Sequence, residues 1–261
     1  MSTGALTELM TYSQAHVGSA GADLADFITA YFDNTDPDEI AARGPATLFA
    51  IANAHWRLLE AARAPDTAHI RVFNPTLAED GFVSDHTVIQ IVHPDMPFLV
   101  DSVTMAVNRG GRTAHWIVHP LMAVQRDAKG LAVQVRRVPA DRASRKASAI
   151  ESLITVECDR IVGKTDRDLL TAELKRVLGD VRGAVQDWQP MLAHLNAVCI
   201  EAAKSPLPQA NKDEGIAFLR WLEDRHFTFL GARDYDLQRN AGGATLIAKP
   251  ETGLGILRGT V

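Results

Sequence analysis

Thr87-Val88-Ile89-Gln90-Ile91-Val92-His93-Pro94-Asp95-Met96-Pro97-Phe98-Leu99-Val100-Asp101-Ser102-Val103 changes its hydrophobic period half-way along. Apart from Gln90, residues 87–92 are β-branched, and their spacing suits a strand. From Pro97 to Arg109 the apolar positions Leu99, Val103 and Ala106 fall on one helical stripe, which Gly110-Gly111 closes with a left-handed stop. One strand therefore feeds one helix. Pro97 suits the first helical turn, and the free amides around it could hold a carboxylate through the helix dipole.

Working outward, His69–Phe73 alternates as an edge strand ahead of a turn containing Gly81. After the helix, Thr113–Gln125 reads as one long strand, Asp127–Gly130 as a turn, and Leu131–Val138 as the second arm of a hairpin. Ile150–Cys158 contains the strongly strand-like Leu153-Ile154-Thr155-Val156. Thr165 and Asp168 have capping-box spacing before an amphipathic helix carrying Leu169, Leu170, Leu174, Val177, Leu178, Val181 and Val185, which continues with a kink at Pro190 to about Lys204. The order strand, helix, three strands, long helix approximates the split βαβ plan, an α+β architecture with helices over an antiparallel sheet.

On the amino-terminal side, Leu24, Phe27, Ile28, Tyr31 and Phe32, and then Leu48, Ile51, His55, Leu58 and Leu59, recur at helical spacing. Two or three helices are expected, broken at Asn34-Thr35-Asp36-Pro37 and Gly44-Pro45. On the carboxyl side, Ser205-Pro206-Leu207-Pro208-Gln209 reads as a linker. Beyond it come a helix with Ile216, Leu219 and Leu222, a strand over about Phe227–Arg233, a turn at Asn240–Gly243 and a strand over Ala244–Ala248. So few elements bury little surface by themselves. The predicted domains are a helical segment 1–65, an α+β domain 66–205, and the opening of a second α+β module over 206–261.

Composition narrows the function classes. The 261 residues are 46% hydrophobic and 23% charged with a formal net charge of −5, which suits a globular protein and gives no global field toward nucleic acid or anionic membrane. Cys158 and Cys199 have no zinc or disulfide spacing, no basic residue precedes Arg43, and Ala46–Trp56 is too short to span a bilayer. A cytoplasmic location is the expectation. The segment Arg126–Lys146 holds Arg126, Lys129, Arg136, Arg137, Arg142, Arg145 and Lys146 against Asp127 and Asp141, a basic patch without the interleaved aromatics of a nucleic-acid surface.

Two sets of residues imitate chemistry. His115 and His119 share a strand face with His93 nearby, but extended geometry separates the first two by about 13 Å, too far for one zinc ion. Gly253-Leu254-Gly255-Ile256-Leu257-Arg258-Gly259 resembles a dinucleotide fingerprint without the helix and the acidic residue that such a site needs. The expectation is therefore no catalytic residue, no metal site and no cofactor site in this chain.

Longer strings carry a family resemblance. Asp95-Met96-Pro97 resembles the strand-to-helix turn of ACT domains, ferredoxin-like modules that often bind amino acids. His93–Val103, His119-Pro120, Phe218-Leu219-Arg220-Trp221-Leu222 and His226-Phe227-Thr228-Phe229-Leu230-Gly231 are together similar to the N-terminal region of large bacterial NAD-dependent glutamate dehydrogenases. The resemblance implies a helical lead-in, a first ACT-like module and the start of a PAS-like one, with the catalytic domain and its NAD far downstream. Asp95, Met96, Pro97, Phe98, Asp101 and Ser102 become the candidate ligand turn. The implied partners are the rest of the dehydrogenase chain and sister subunits, with an amino-acid effector as the alternative role, and neither nucleic acid nor membrane. Two departures shift weight from sensing to assembly: Phe98 stands where such turns usually have Gly, and no final strand follows the long helix, so an edge strand or another protomer has to substitute.

Overall fold

A computed structural model describes residues 3–18, 21–141, 148–240 and 243–259. They divide into two compact units, Met1–Val177 and Leu178–Val261.

The first unit begins with four helices: α1 (Thr3–His16), α2 (Gly21–Tyr31), α3 (Pro37–Arg43) and α4 (Pro45–Glu60). The punctuation between them is chemical. The Asp36 carboxylate accepts the Asp38 amide at 2.8 Å, Pro37 and Pro45 open their helices, and Gly44, at φ 73°, joins the two. An N-cap of this kind contributes about 1 kcal/mol.

Six strands make one sheet: β1 (His69–Phe73), β2 (Thr87–Pro94), β3 (Ala114–Val118), β4 (Leu121–Arg126), β5 (Ala132–Arg137) and β6 (Ile150–Cys158). A single turn, α5 (Leu77–Asp80), separates β1 from β2, and α6 (Leu99–Arg109) separates β2 from β3. The sheet order is β1-β2-β6-β4-β5, with β3 also on β6 and every pairing antiparallel. Because β2 and β3 flank β6 and both run opposite to it, β2–α6–β3 is a split βαβ unit, and the α+β fold read from the periodicity is the fold observed. β1 pairs with the free edge of β2, from His69 opposite Val92 to Phe73 opposite Val88. An edge strand thus fills the place of the final ACT strand.

The predicted long strand over 113–125 is two strands on one path. β3 pairs with the 155–158 half of β6 and β4 with the 150–152 half. Pro120 has no amide to give to the ladder, yet its carbonyl still accepts Leu153 N–H at 3.0 Å, so the path bends without leaving β6.

Both faces of the sheet are covered. α2 and α4 lie over one, where Val88, Val92, Trp116, Val118, Met122, Val124 and Leu153 share a core with Tyr31, Phe32, Leu48, Ile51 and Leu59. The α6 crossover has to take the other face. There Ile89, Ile91, Ile154 and Val156 are fully buried, and α6 supplies the buried Leu99, Val103 and Val107.

After β6 comes α7 (Lys164–Gln186), whose later residues belong to the second unit, followed by α8 (Trp188–Ala203) and α9 (Gln209–Trp221). The expected kink at Pro190 is instead a complete break at Asp187, with Pro190 in the first turn of α8, where its missing amide costs nothing. The Ser205–Gln209 stretch joins α8 to α9 inside the second unit. A π-helical turn, Leu222–His226, follows. The strand predicted over about 227–233 is reduced to β7 (Gly231–Ala232), paired with β10 (Leu254–Gly255), and a strand absent from the sequence reading, β8 (Tyr235–Asn240), forms a hairpin with β9 (Gly243–Ala248).

Candidate functional site

β2 ends at Pro94, and Asp95 N–H donates to Ile150 O at 2.9 Å, which anchors the turn to the start of β6. The helix begins at Leu99, two residues later than its proline suggests, because Phe98 is the N-cap at φ 72° and ψ 3°. Phe98 therefore keeps the left-handed backbone that a glycine would adopt freely, at a cost of about 1–2 kcal/mol for a residue with a Cβ. Its carbonyl accepts the Ser102 amide at 3.0 Å, while its ring is 51% exposed. Asp95, Pro97 and Asp101 are exposed and Met96 and Ser102 half-buried, so the six candidate residues form an open turn.

The histidines disperse among separate partners. His93 donates through Nδ1 to Pro94 O at 2.7 Å, His115 Nε2 meets Asp159 Oδ1 at 2.6 Å, and His119 Nε2 meets Ser152 Oγ at 2.6 Å. Burial pushes the His119 imidazole below its usual range, with the nearby Asp95 carboxylate opposing the shift. The strings around residues 95 and 119 are thus brought together on β6. Burial also pushes the Cys158 thiol up to about 11, which leaves it a poor nucleophile.

Sequence reasoning missed two constellations on the helix-facing side of β6. In the first, His55 Nε2 donates to Ile91 O at 3.1 Å, which leaves Nδ1 as an acceptor. The Tyr31 hydroxyl donates to that Nδ1 at 2.6 Å and accepts from Thr155 Oγ1 at 2.5 Å, so all three side chains are satisfied with none charged. Burial holds the His55 imidazole down at about 3 and raises the Tyr31 phenol above its usual range.

In the second, Glu151 receives Arg63 Nη2 at 2.6 Å and a bidentate grip from Arg126 Nε and Nη2 at 2.7 and 2.8 Å. Burial pushes the Glu151 carboxyl up, but the two guanidiniums outweigh it and hold the group below the ordinary carboxylate range. Arg126 also donates to Leu59 O and to Gly130 O, and a Cβ on Gly130, at φ 83°, would overlap the Arg63 backbone. These contacts lock the end of α4 to the β4–β5 hairpin and to β6. They flank a cleft of about 610 Å³ to which Arg63, Asp66, Pro94, Arg126 and Glu151 contribute. The basic patch accordingly breaks up: Arg126 is half-buried in this ion pair, Arg137 pairs with Asp33, and Arg142, Arg145 and Lys146 lie outside the described residues.

In the second unit the glycine-rich stretch closes on its own neighbours. Gly255, at φ 60°, lies where a Cβ would overlap the Leu230 carbonyl, and its amide donates to Asp187 Oδ2 at 2.7 Å. Arg258 donates to the same carboxylate through Nε at 3.0 Å and also through Nη2. Burial raises the Asp187 carboxyl, but Arg258 and the Gly255 amide bring it below the usual range.

The family model described as "Glutamate dehydrogenase, ACT1 domain" matches residues 27–174, more than half of the chain. The chain belongs to this family. The matched span runs from α2 through the whole sheet into α7, so this ACT1 domain includes both the split βαβ unit and helices that cover its other face. Among curated proteins, this ACT1 chain is similar to the NAD-specific glutamate dehydrogenase of Pseudomonas aeruginosa, with 32% identity over 254 residues, 96% of the chain and 15% of that protein. It is likewise similar to the NAD-specific glutamate dehydrogenase of Halomonas elongata, with 33% identity over 240 residues, 91% of the chain and 15% of that protein. The similarly named protein of Mycobacterium tuberculosis is 27% identical over 259 residues. The chain spans about 15% of the length of the curated relatives it matches, and corresponds to their N-terminal region. Among the described residues, no helix is long and apolar enough to cross a membrane.

Proposed function

We propose that this segment is the N-terminal regulatory and assembly part of an NAD-dependent glutamate dehydrogenase, and that it is itself non-catalytic. The parent oxidises L-glutamate with NAD and water to 2-oxoglutarate, ammonia and NADH in the cytoplasm. Its hydride-transfer residues and NAD site lie elsewhere in the parent chain, and residues 206–261 are the first elements of a PAS-like module. The observation that carries this reading is the ACT1 match over 27–174 in a chain that fills only 15% of its relatives. The test is NADH formation from glutamate and NAD, followed by absorbance. The parent is expected to be active and residues 1–261 inactive; turnover by residues 1–261 would overturn the reading. Light scattering on the same sample reads self-association with sister subunits.

One observation favours a second reading, an amino-acid sensor. Phe98, where ACT turns usually have glycine, has the left-handed backbone that glycine adopts freely, which supports a ligand turn at the head of α6 although the side chain has changed. An effector would lie against Asp95, Met96, Pro97, Phe98, Asp101 and Ser102 with its carboxylate toward the α6 amides. Calorimetric titration of residues 1–261 with a panel of amino acids decides it: saturable heat that Ser102→Trp abolishes supports sensing, and its absence leaves assembly as the role.

A further inference from the structure

The hairpin of the second unit has an uncovered apolar side. Its register sets Tyr235 opposite Ala248, Leu237 opposite Leu246 and Arg239 opposite Ala244, and strand alternation sends these side chains to one face. Tyr235, Leu237 and Leu246 are 47%, 53% and 65% exposed there. The opposite face is more polar, carrying Gln238, Thr245 and an Asp236–Lys249 ion pair of 2.7 Å beside Ile247. The hairpin is a sheet of two strands, and two strands alone are marginal in water without a third strand or a layer packed on their apolar side.

The lack of cover is not confined to the hairpin. α9 buries none of its described residues, and Phe218 and Trp221 are more than half or half exposed on it. A second copy of this chain is a poor occupant for the hairpin face. Three large side chains offer only a few hundred Å², well short of the roughly 800 Å² per partner of a stable dimer. A segment of the same polypeptide needs far less area, because tethering supplies an effective concentration in the millimolar range. The curated relatives are mostly chain that lies outside these residues.

We propose that the Tyr235–Leu237–Leu246 face is the seat of an apolar layer supplied by the rest of the parent dehydrogenase chain. This rests on the reading of the chain as part of that parent. Docking there completes the hairpin and couples the second unit to the parts of the enzyme beyond it.

Hydrogen exchange followed by mass spectrometry on the intact parent and on residues 1–261 tests the seat. Peptides covering β8 and β9 are expected to exchange roughly 100-fold more slowly in the parent, and Leu246→Glu in the parent is expected to remove roughly 10-fold of that protection. Equal exchange in the two proteins would overturn the proposal, as would protection in residues 1–261 that rises with concentration alongside a dimer mass in light scattering, which assigns the face to a second copy. Should Leu246→Glu leave the parent insoluble, the wild-type comparison still decides. Glutamate-dependent NADH formation by the same parent sample reads the enzymatic reading separately, so either can fail alone.

Discussion

β6 in the first unit and β9 in the second are both strands of a few alternating residues, yet they meet opposite surroundings. β6 is buried along both faces and turns Glu151, Thr155 and Glu157 inward, where each finds a partner: Arg63 from the loop after α4 with Arg126 of β4, the Tyr31–His55 pair of α2 and α4, and Arg43 of α3 at 3.0 Å. β9 carries more modest polarity but leaves Leu246 in water beside a single neighbouring strand. A polar group survives burial when its hydrogen bonds are complete, whereas an apolar group is buried only when another layer is present to cover it. The first unit has both layers within these residues; the hairpin of the second does not.

The largest test of that contrast is Glu151→Ala, which leaves the buried Arg63 and the half-buried Arg126 facing each other without their carboxylate. A loss of about 3–5 kcal/mol is expected in urea unfolding of residues 1–261 at neutral pH, and a loss below about 1 kcal/mol would show the ion pairs to be solvated rather than structural. Next in size, Ile91→Ala empties a fully buried site in the central strand and is expected to cost about 3 kcal/mol.

Acid gives the third test. The unfolded His55 side chain binds a proton near its ordinary value of 6.5, whereas the folded one resists protonation down to about 3. The unfolded state therefore holds more protons between those values, and stability contributed by His55 is present at neutral pH and is lost as pH falls through that window. By pH 4.5 the loss is on the order of 3 kcal/mol. Paired carboxylates such as Glu151 also lose stability in acid, so the discriminating measurement is the pH slope of urea stability in His55→Gln against the parent sequence. A slope unchanged by the substitution would remove His55 as its source.

Smaller effects sharpen the comparison. Phe98→Gly relieves the left-handed strain at an exposed position and is expected to raise stability, or at least leave it unchanged, within about 1 kcal/mol, since glycine also loses more backbone entropy on folding. Leu246→Ala in residues 1–261 is expected to fall within about 0.5 kcal/mol, because its side chain has little packing to lose. A cost comparable to that of Ile91→Ala would mean that the hairpin face is already covered.

Local signals made much of the fold legible. The change of period between Val92 and Leu99, the Asp36-Pro37 and Gly44-Pro45 breaks, and the Asp127–Gly130 turn each act over a few residues, and each marks an element boundary in the structure to within a few positions. The missed strand β8 had only Tyr235 and Leu237 to signal its alternation among Asp236, Gln238, Arg239 and Asn240, and the expected strand over 227–233 persisted as two residues because its apolar run is not matched by a partner of equal length. The candidate turn at 95–102 was legible as a turn, whereas its left-handed residue was not, since phenylalanine rarely adopts that conformation.

By itself the sequence determined most of the helix and strand segments of the first unit, the antiparallel α+β class, and the likeness that links the chain to glutamate dehydrogenases. Those follow from periodicity, caps and strings of adjacent residues. Only the tertiary structure decided that β1 occupies the free edge of β2, that Glu151 sits between Arg63 and Arg126, and that Tyr31, His55 and Thr155 form one neutral chain of hydrogen bonds. These partners are up to 124 residues apart, and whether a buried polar group is stable depends on partners that only the folded chain brings within reach.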